Sequence, residues 1–189
     1  LVTPQVNYCD RDSHFIFGDV STAMILERAE TAASGNAFEI LGTKAFTRFS
    51  SNIRSNFGYM SRATDVDPYG WDKLFHQAGR KVFEEVSPVA AAHIKDHLAS
   101  LGITPEGVKR FWLHQANLNM NKMVIKDLLG KDVDPASVPT IVDTYANTAS
   151  AGSIIAFHHN NADLQSGDIG VICSFGAGYS VGSLVLRKV

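Results

Sequence analysis

The sequence predicts an α/β protein with a mixed β-sheet. Short apolar runs of strand length alternate along the chain with longer segments in which apolar residues recur every three or four positions. The last two apolar runs, 169–175 and 179–187, are joined only by a Gly-Ala-Gly turn and therefore form a tight pair of strands. Alternating strands and helices that end in such a pair favour a mixed sheet.

The composition is that of an ordinary globular protein. The chain has 189 residues, of which 45% are hydrophobic and 19% charged, and its 17 Lys and Arg against 19 Asp and Glu leave a net charge of −2. These values suit one domain or two small ones and exclude a disordered or collagen-like chain. No stretch approaches the roughly 20 consecutive apolar residues of a membrane span, and the charge balance gives no general reason to expect a nucleic-acid partner.

The first part of the chain predicts short strands and a long loop. Residues 15–27 hold apolar runs on both sides of Gly18 and predict two short buried strands around a tight turn. Residues 38–46 alternate in polarity and predict another strand. Residues 47–71 are rich in Ser, Asn, Arg, Asp and Gly and predict a long loop, either functional or a surface insertion.

The remainder predicts helices alternating with strands. Apolar spacings of three and four indicate a long helix over 73–101, which Pro88 kinks or splits and which Gly102 ends. A short strand over 109–113 leads directly into a helix over 117–129. The other helical elements are predicted at 104–106, 134–138 and 150–164.

Two cysteines, Cys9 and Cys173, lie far apart in the sequence. They make neither a disulfide framework nor a zinc-binding spacing. Two reduced thiols are typical of a cytoplasmic protein. The chain begins at Leu1 without an initiator Met, which predicts a processed chain or a fragment.

The first candidate site is His114-Gln115-Ala116-Asn117, between the strand over 109–113 and the following helix. Polar side chains at the carboxyl end of a strand in an open α/β sheet lie where ligands bind, and a helix N-terminus adds N–H donors there. A capping or buried structural histidine is the alternative at this position.

Two further candidates follow. Asn147 precedes a helix rich in Ala, Gly and Ser, where it is either a functional amide or a simple helix cap. The segment Phe175-Gly176-Ala177-Gly178 joins the last two strands, and its glycines allow either a close substrate approach to backbone N–H groups or an ordinary hairpin turn.

Together the three motifs resemble the C-terminal part of the β-ketoacyl-acyl-carrier-protein synthase III family, condensing enzymes of the thiolase superfamily. HQAN at 114–117, ANTASAGS at 146–153 and FGAGYSVGS at 175–183 occur in the order typical of that family. Phe-Gly-Asp at 17–19 resembles its FGDGA segment. The resemblance covers essentially the whole chain but only the C-terminal part of the family's longer sequences.

The resemblance implies a thiolase-like fold, in which this chain forms the C-terminal half of a five-layered αβαβα architecture with helices on both faces of the sheet. Residues 1–36 would be the end of the N-terminal half, and 37–189 the C-terminal domain. The family's nucleophile is a cysteine in the first half. Neither Cys9 nor Cys173 has the sequence context of that cysteine, so the resemblance implies that the nucleophile is absent from this chain.

The implied reaction is a decarboxylative Claisen condensation of an acyl-CoA primer with malonyl-acyl-carrier protein in fatty-acid biosynthesis. By resemblance, His114 and Asn147 are catalytic and donate hydrogen bonds to the thioester oxygen while CO₂ leaves. Asn117 and the backbone around Ala177 are implied to bind substrate, together with the rest of the segment Phe175, Gly176, Ala177 and Gly178. No cofactor is implied.

The chain departs from the family at a few positions. Ala146 stands where the family usually has Gly, and Asn119 stands where well-known members carry a basic residue that docks the carrier protein. Lys122 and Lys126, one helical turn apart, are predicted to replace that charge, with an ordinary solvated helix face as the alternative.

The implied partners are acyl-carrier protein, acyl-CoA, an N-terminal half with the catalytic Cys, and a second copy in a homodimer. The chain by itself is expected to be inactive. Two other interpretations remain open. One is a chalcone-synthase-like, quinolone-forming or acyl-transferring enzyme on the same scaffold. The other is a non-catalytic half-chain that pairs with a Cys-bearing partner.

Overall fold

A computed structural model describes residues 6–32, 35–54 and 74–189. Ten helices and strands occur in this part of the chain. In order they are β1 (Phe38–Ser50), β2 (Ile53–Arg54), β3 (His76–Gln77), α1 (Gly79–Ser100), β4 (Val108–Leu113), α2 (Leu118–Leu129), α3 (Val142–Tyr145), α4 (Ala151–His159), β5 (Ile169–Gly176) and β6 (Gly178–Lys188). Short 3₁₀ turns occupy Pro105–Gly107 and Pro135–Ser137.

Four of the strands form one mixed sheet in the order β1–β6–β5–β4. Strands β1 and β5 are both antiparallel to β6, whereas β4 is parallel to β5. The parallel pair arises because α2, α3 and α4 intervene between β4 and β5, whereas the single residue between β5 and β6 permits only a hairpin. The predicted mixed sheet is thus confirmed.

Helices cover both faces of this sheet, as predicted. Successive residues of a strand point to opposite faces, so β4 sends Phe111 and Leu113 to one side and Trp112 to the other. Helices α1 and α2 pack on the first side. Helix α4 packs on the second, where Trp112, Ile155, Ala156, Ile172 and Leu186 form the smaller core.

The prediction of two buried strands in residues 15–27 is wrong. Only Phe17 forms a bridge, to Asn147, and the rest of this segment has no regular structure. Ile25 and Leu26 are 88% and 73% exposed. A strand is stable only when its backbone groups are paired, and no strand of the described residues pairs with this segment.

The long central helix begins later than predicted. Residues His76–Gln77 pair with Ile53–Arg54, so α1 starts at Gly79, and the predicted start at Lys73 lies outside the described residues. Pro88 lies inside α1 on its exposed side and does not split the helix. The buried residues on both sides of it hold the helix on the sheet.

Three other boundaries differ from the prediction. Strand β1 continues to Ser50, and residues 55–71 of the predicted loop lie outside the described residues. Helix α4 ends at His159 because the side chains of Asn160 and Asn161 bond back to the carbonyls of Ala156 and Phe157. No pattern in the sequence predicted the one-turn helix α3. In the described part of the chain, no helix is long and apolar enough to cross a bilayer.

Candidate active site

A cleft of about 900 Å³ opens where β4, the β5–β6 hairpin and the segment before α4 meet. Six of the seven residues that the sequence assigned to catalysis or substrate binding line it: His114, Asn117, Asn147, Phe175, Gly176 and Ala177. The fold therefore gathers motifs that are far apart in the chain. The exception, Gly178, is not among the lining residues. It makes the hairpin turn with φ 137°, a conformation that favours glycine.

His114 directly follows the last residue of β4, and a backbone hydrogen bond fixes its position. Its N–H donates to the Cys173 carbonyl (2.8 Å), which extends the β4–β5 pairing by one residue. The side chain is only 7% exposed, and the Phe175 ring lies edge-on to it with centroids 4.8 Å apart. Burial lowers the pKa of His114 to about 4, against a weaker opposing contribution from the Ala149 backbone. The imidazole is therefore neutral near pH 7.

Asn147 is positioned by its own side chain and by residues 16–18. Its Oδ1 accepts from the Ala149 N–H (3.0 Å), which leaves the Nδ2 amide without an acceptor among the described residues. Its backbone N–H donates to the Ile16 carbonyl and its carbonyl accepts from the Gly18 N–H, each at 3.0 Å. The cap of α4 is Ser150, so the helix-cap interpretation of Asn147 does not hold.

Gly18 makes this pairing possible. A Cβ built on Gly18 would lie 2.1 Å from the carbonyl oxygen of Tyr145, a backbone atom that has no room to move aside. The early Phe-Gly-Asp motif thus helps to form the site by lying against Asn147, although the strands predicted around it do not form.

The backbone around Asn147 is strained. Ala146 has φ 56° and ψ −159°, and Ala149 has φ 53°. The conformation of Ala146 is one that glycine adopts almost exclusively, and such strain concentrates at functional sites. The strain at Ala146 explains why a glycine would suit this position.

Replacing Ala146 by glycine is expected to raise the free energy of unfolding by about 1 kcal/mol, because relief of strain exceeds the added chain entropy of glycine. Chemical denaturation measures the change. Ala92→Gly, on the exposed side of α1, is the control and should destabilise by about 1 kcal/mol. If both variants lose stability alike, Ala146 is not strained.

Gln115 was not assigned a role from the sequence, although it lies inside the HQAN motif. It is fully buried, and its Nε2 donates to the Leu113 carbonyl (2.8 Å) while its Oε1 accepts from the Ile141 N–H (3.0 Å). These bonds tie the end of β4, next to His114, to the segment that leads towards Asn147. No sequence pattern indicated this role, because the burial and the long-range bonds of Gln115 are properties of the tertiary structure.

Asn117 has a capping role as well as a place in the cleft. Its Oδ1 accepts from the Met120 N–H (2.9 Å) at the start of α2. Lys122 and Lys126 are exposed on α2 and do not line the cleft. Cys173 is fully buried in the sheet, and burial raises the pKa of its thiol to about 12, whereas Cys9 is exposed and outside the cleft.

The described residues contain no group of three His, Cys, Asp or Glu side chains that could hold a metal ion. The lining of the cleft is mostly apolar. Its walls include aromatic and aliphatic side chains from several elements: Phe15, Phe17, Phe75, Phe83, Val86 and Met120. Two neutral hydrogen-bonding groups, His114 and Asn147, thus face a largely apolar space, where hydrogen bonds to a developing negative charge are strong.

The sequence is similar to known acyl-carrier-protein synthases. Residues 98–188 match the family model described as 3-oxoacyl-[acyl-carrier-protein] synthase III C terminal. The chain is 55% identical over 188 residues to β-ketodecanoyl-[acyl-carrier-protein] synthase of Pseudomonas aeruginosa, covering 100% of this chain and 54% of the relative. It is 25% identical to a β-ketoacyl-[acyl-carrier-protein] synthase III of Lactiplantibacillus plantarum, covering 97% of this chain and 54% of the relative.

Solved structures show the same fold. The 3-oxoacyl-[acyl-carrier-protein] synthase III of Aquifex aeolicus superposes with a TM-score of 0.74 at 20% identity, over 98% of this chain and 55% of that one. The Thermus thermophilus synthase III gives 0.73 at 22% identity, over 98% and 56%. The chain spans about half the length of the curated relatives it matches. Residues 98–188 therefore match the C-terminal model of the 3-oxoacyl-[acyl-carrier-protein] synthase III family, and the fold is that of the solved synthase III structures.

Proposed function

We propose that this chain supplies His114 and Asn147 to a synthase that condenses an acyl-CoA primer with malonyl-acyl-carrier protein and releases CO₂. The observation that supports this most directly is that a neutral, buried His114 and an Asn147 amide N–H without an acceptor among the described residues line one largely apolar cleft. The reaction is an acyl transfer in fatty-acid biosynthesis and uses no metal or other cofactor.

The two side chains act on the oxygen of the malonyl thioester. When the carboxylate leaves as CO₂, its bonding electrons move into the thioester and place negative charge on that oxygen. The proposed reaction needs the proton of the neutral His114 on Nε2, which leaves the buried Nδ1, without a hydrogen-bond partner among the described residues, as the unprotonated nitrogen. The Nε2–H and the Asn147 Nδ2–H then donate to the oxygen. The enolate attacks the acyl carbon of the primer's cysteine thioester, and the C–S bond breaks to release the cysteine thiolate.

The primer's thioester forms on a cysteine outside the described residues. Cys173 is protonated in the core, and Cys9 does not line the cleft. We propose that residues 1–36 belong to the N-terminal half that carries the nucleophile, and 37–189 to the C-terminal domain. The first helix or strand of the described residues begins at Phe38, in agreement with this division. The backbone near Ala177 would bind the acyl carbonyl.

The proposed partners are those of the intact synthase. Acyl-carrier protein would dock on the exposed Lys122 and Lys126, whose positive charges suit an acidic partner, and Asn117 would contact the substrate arm inside the cleft. The intact enzyme would be a cytoplasmic homodimer. Apolar side chains such as Phe49 (89% exposed) and Ile25 (88% exposed) favour a further protein surface that covers them. That surface would come from the N-terminal half or from a second copy.

The primer is proposed to be a medium-length acyl chain. The Pseudomonas aeruginosa relative is named for a β-ketodecanoyl product, and condensation contributes two of its carbons, so its primer is an octanoyl group. The aromatic and aliphatic walls of the cleft suit an acyl chain of that kind.

The test is reconstitution with a cysteine-bearing half. This chain would be fused to the N-terminal half of the Pseudomonas aeruginosa relative and supplied with malonyl-acyl-carrier protein and acyl-CoA primers from acetyl to dodecanoyl. We expect ketoacyl product, fastest with octanoyl-CoA, and none from this chain alone. A fusion in which alanine replaces the nucleophile is the control. Acyl loading without condensation would contradict the proposed reaction, whereas a preference for acetyl-CoA would contradict only the primer length.

A further inference from the structure

Arg54 brings a permanent positive charge into the cleft. It is the only charged side chain among the described residues that line the cleft, because His114 is neutral there. No carboxylate in the described part of the chain makes an ion pair with it. By contrast, Arg80, Arg110 and Arg187 all pair with carboxylates, at 2.9, 2.6 and 2.5 Å.

The strand that carries Arg54 is anchored on both sides. The neighbouring Asn52 donates through Nδ2 to the Glu85 carboxylate of α1 (3.1 Å), and the Tyr179 hydroxyl of β6 donates to the same oxygen (2.8 Å). The Ala78 N–H donates to the Asn52 carbonyl (2.7 Å). Because Tyr179 is fully buried, this network holds the backbone next to Arg54 against the domain core.

Arg54 lines the same cleft as His114 and Asn147 but is carried by a separate two-stranded sheet. Phe17 pairs with Asn147 through its backbone, and its ring meets the Phe75 ring edge-on with centroids 4.8 Å apart. Phe75 directly precedes β3, the strand that pairs with β2 and Arg54. The contact between these two rings thus links the segment that pairs with Asn147 to the strand pair that holds the arginine.

We propose that Arg54 binds the phosphate of the 4′-phosphopantetheine arm that acyl-CoA and malonyl-acyl-carrier protein share, an inference that rests on the proposed function. A guanidinium is always charged and bonds phosphate through two parallel N–H groups. The malonyl carboxylate is the other anion of these substrates. A cation beside it would stabilise the ground state more than the transition state, in which that charge has moved to the thioester oxygen, and would slow decarboxylation.

The test compares the binding of small probes to this chain by calorimetry. Wild type should bind 4′-phosphopantetheine at least about tenfold more tightly than pantetheine, because hydrogen bonds to charged groups are strong. Arg54→Gln should remove that preference. Arg54→Lys keeps the positive charge but lacks the two parallel N–H donors of the guanidinium, so it should retain part of the preference. The matched control is Arg80→Gln, which removes the same charge from the exposed side of α1 and should leave the preference unchanged.

Malonyl-pantetheine and acetyl-pantetheine form the second arm of this test. If Arg54→Gln removes a preference for malonyl-pantetheine instead, the arginine binds the carboxylate and the phosphate assignment is wrong. Equal binding of phosphorylated and unphosphorylated probes by wild type also overturns it. Circular dichroism confirms that each variant is folded, and partial retention by Arg54→Lys separates loss of contact from loss of fold.

Failure of this inference differs from failure of the proposed function. If the fusion protein condenses substrates and Arg54→Gln leaves KM for acyl-CoA unchanged, only the phosphate site is wrong. If the phosphate preference depends on Arg54 but the fusion protein never condenses, the phosphate site holds and the proposed reaction is wrong.

Discussion

Replacing His114 by alanine in the fusion protein is expected to slow decarboxylation of malonyl-acyl-carrier protein by about 10²–10³-fold, because one of two preorganised donors to the thioester oxygen is lost. Release of labelled CO₂ measures this step, and acylation by the labelled primer measures the other. The control is His158→Ala, which removes an exposed imidazole at the end of α4 and should change neither. Unchanged decarboxylation in His114→Ala would show that His114 is structural.

Asn147→Asp provides a test that preserves the local geometry. The aspartate can still accept the Ala149 N–H bond, so the turn before α4 is kept, but the amide N–H donor is replaced by a carboxylate oxygen. We expect decarboxylation to fall at least as far as in Asn147→Ala, since the new charge repels the developing negative oxygen. If Asn147→Asp retains activity while Asn147→Ala loses it, the turn matters and the amide donor does not.

The second large effect is acid destabilisation through His114. Its pKa is lowered to about 4 by burial, whereas an unfolded histidine titrates near the ordinary value of 6.5. The unfolded state therefore binds the proton first as pH falls. The stabilisation is fully present above pH 6.5, declines between 6.5 and 4, and is absent below 4. The shift corresponds to about 3 kcal/mol in the free energy of unfolding.

Denaturant unfolding from pH 8 to pH 4 tests this linkage. The free energy of unfolding should fall less steeply in His114→Gln than in wild type, and the difference should grow below pH 6.5. His93 and His97 also have pKa values lowered mainly by burial and contribute with the same sign, so they remain in every variant. His158→Gln is the matched control and should follow wild type. Parallel curves for His114→Gln and wild type would contradict a buried neutral His114.

The sequence predicted an element correctly where the pattern that defines it acts between residues close together in the chain. Strand β4, helix α2 and the β5–β6 hairpin were predicted within one or two residues, because their apolar periodicity, the Asn117 cap and the glycine turn all act between near neighbours in the chain. The strands expected in residues 15–27 failed for the opposite reason. Their apolar pattern indicates a need for partners, but pairing depends on chain segments that lie elsewhere.

The same distinction holds for the site. The motif order indicated His114 and Asn147, and the cleft that both residues line agrees with it. No sequence pattern indicated that Gln115 ties two segments together or that Arg54 is a charged residue lining the cleft. Both roles depend on distances between elements. Lys73 and most of the predicted loop lie outside the described residues.

By itself the sequence determined the α/β class, the mixed sheet, the main helices and the residue types suited to condensation chemistry. These follow from short-range periodicity and from motifs that keep their order. Only the tertiary structure decided that Phe17 pairs with Asn147, that burial keeps His114 neutral, and that Arg54 is the only charged side chain among the described residues lining the cleft. Burial and long-range contacts set these properties, and no local pattern encodes them.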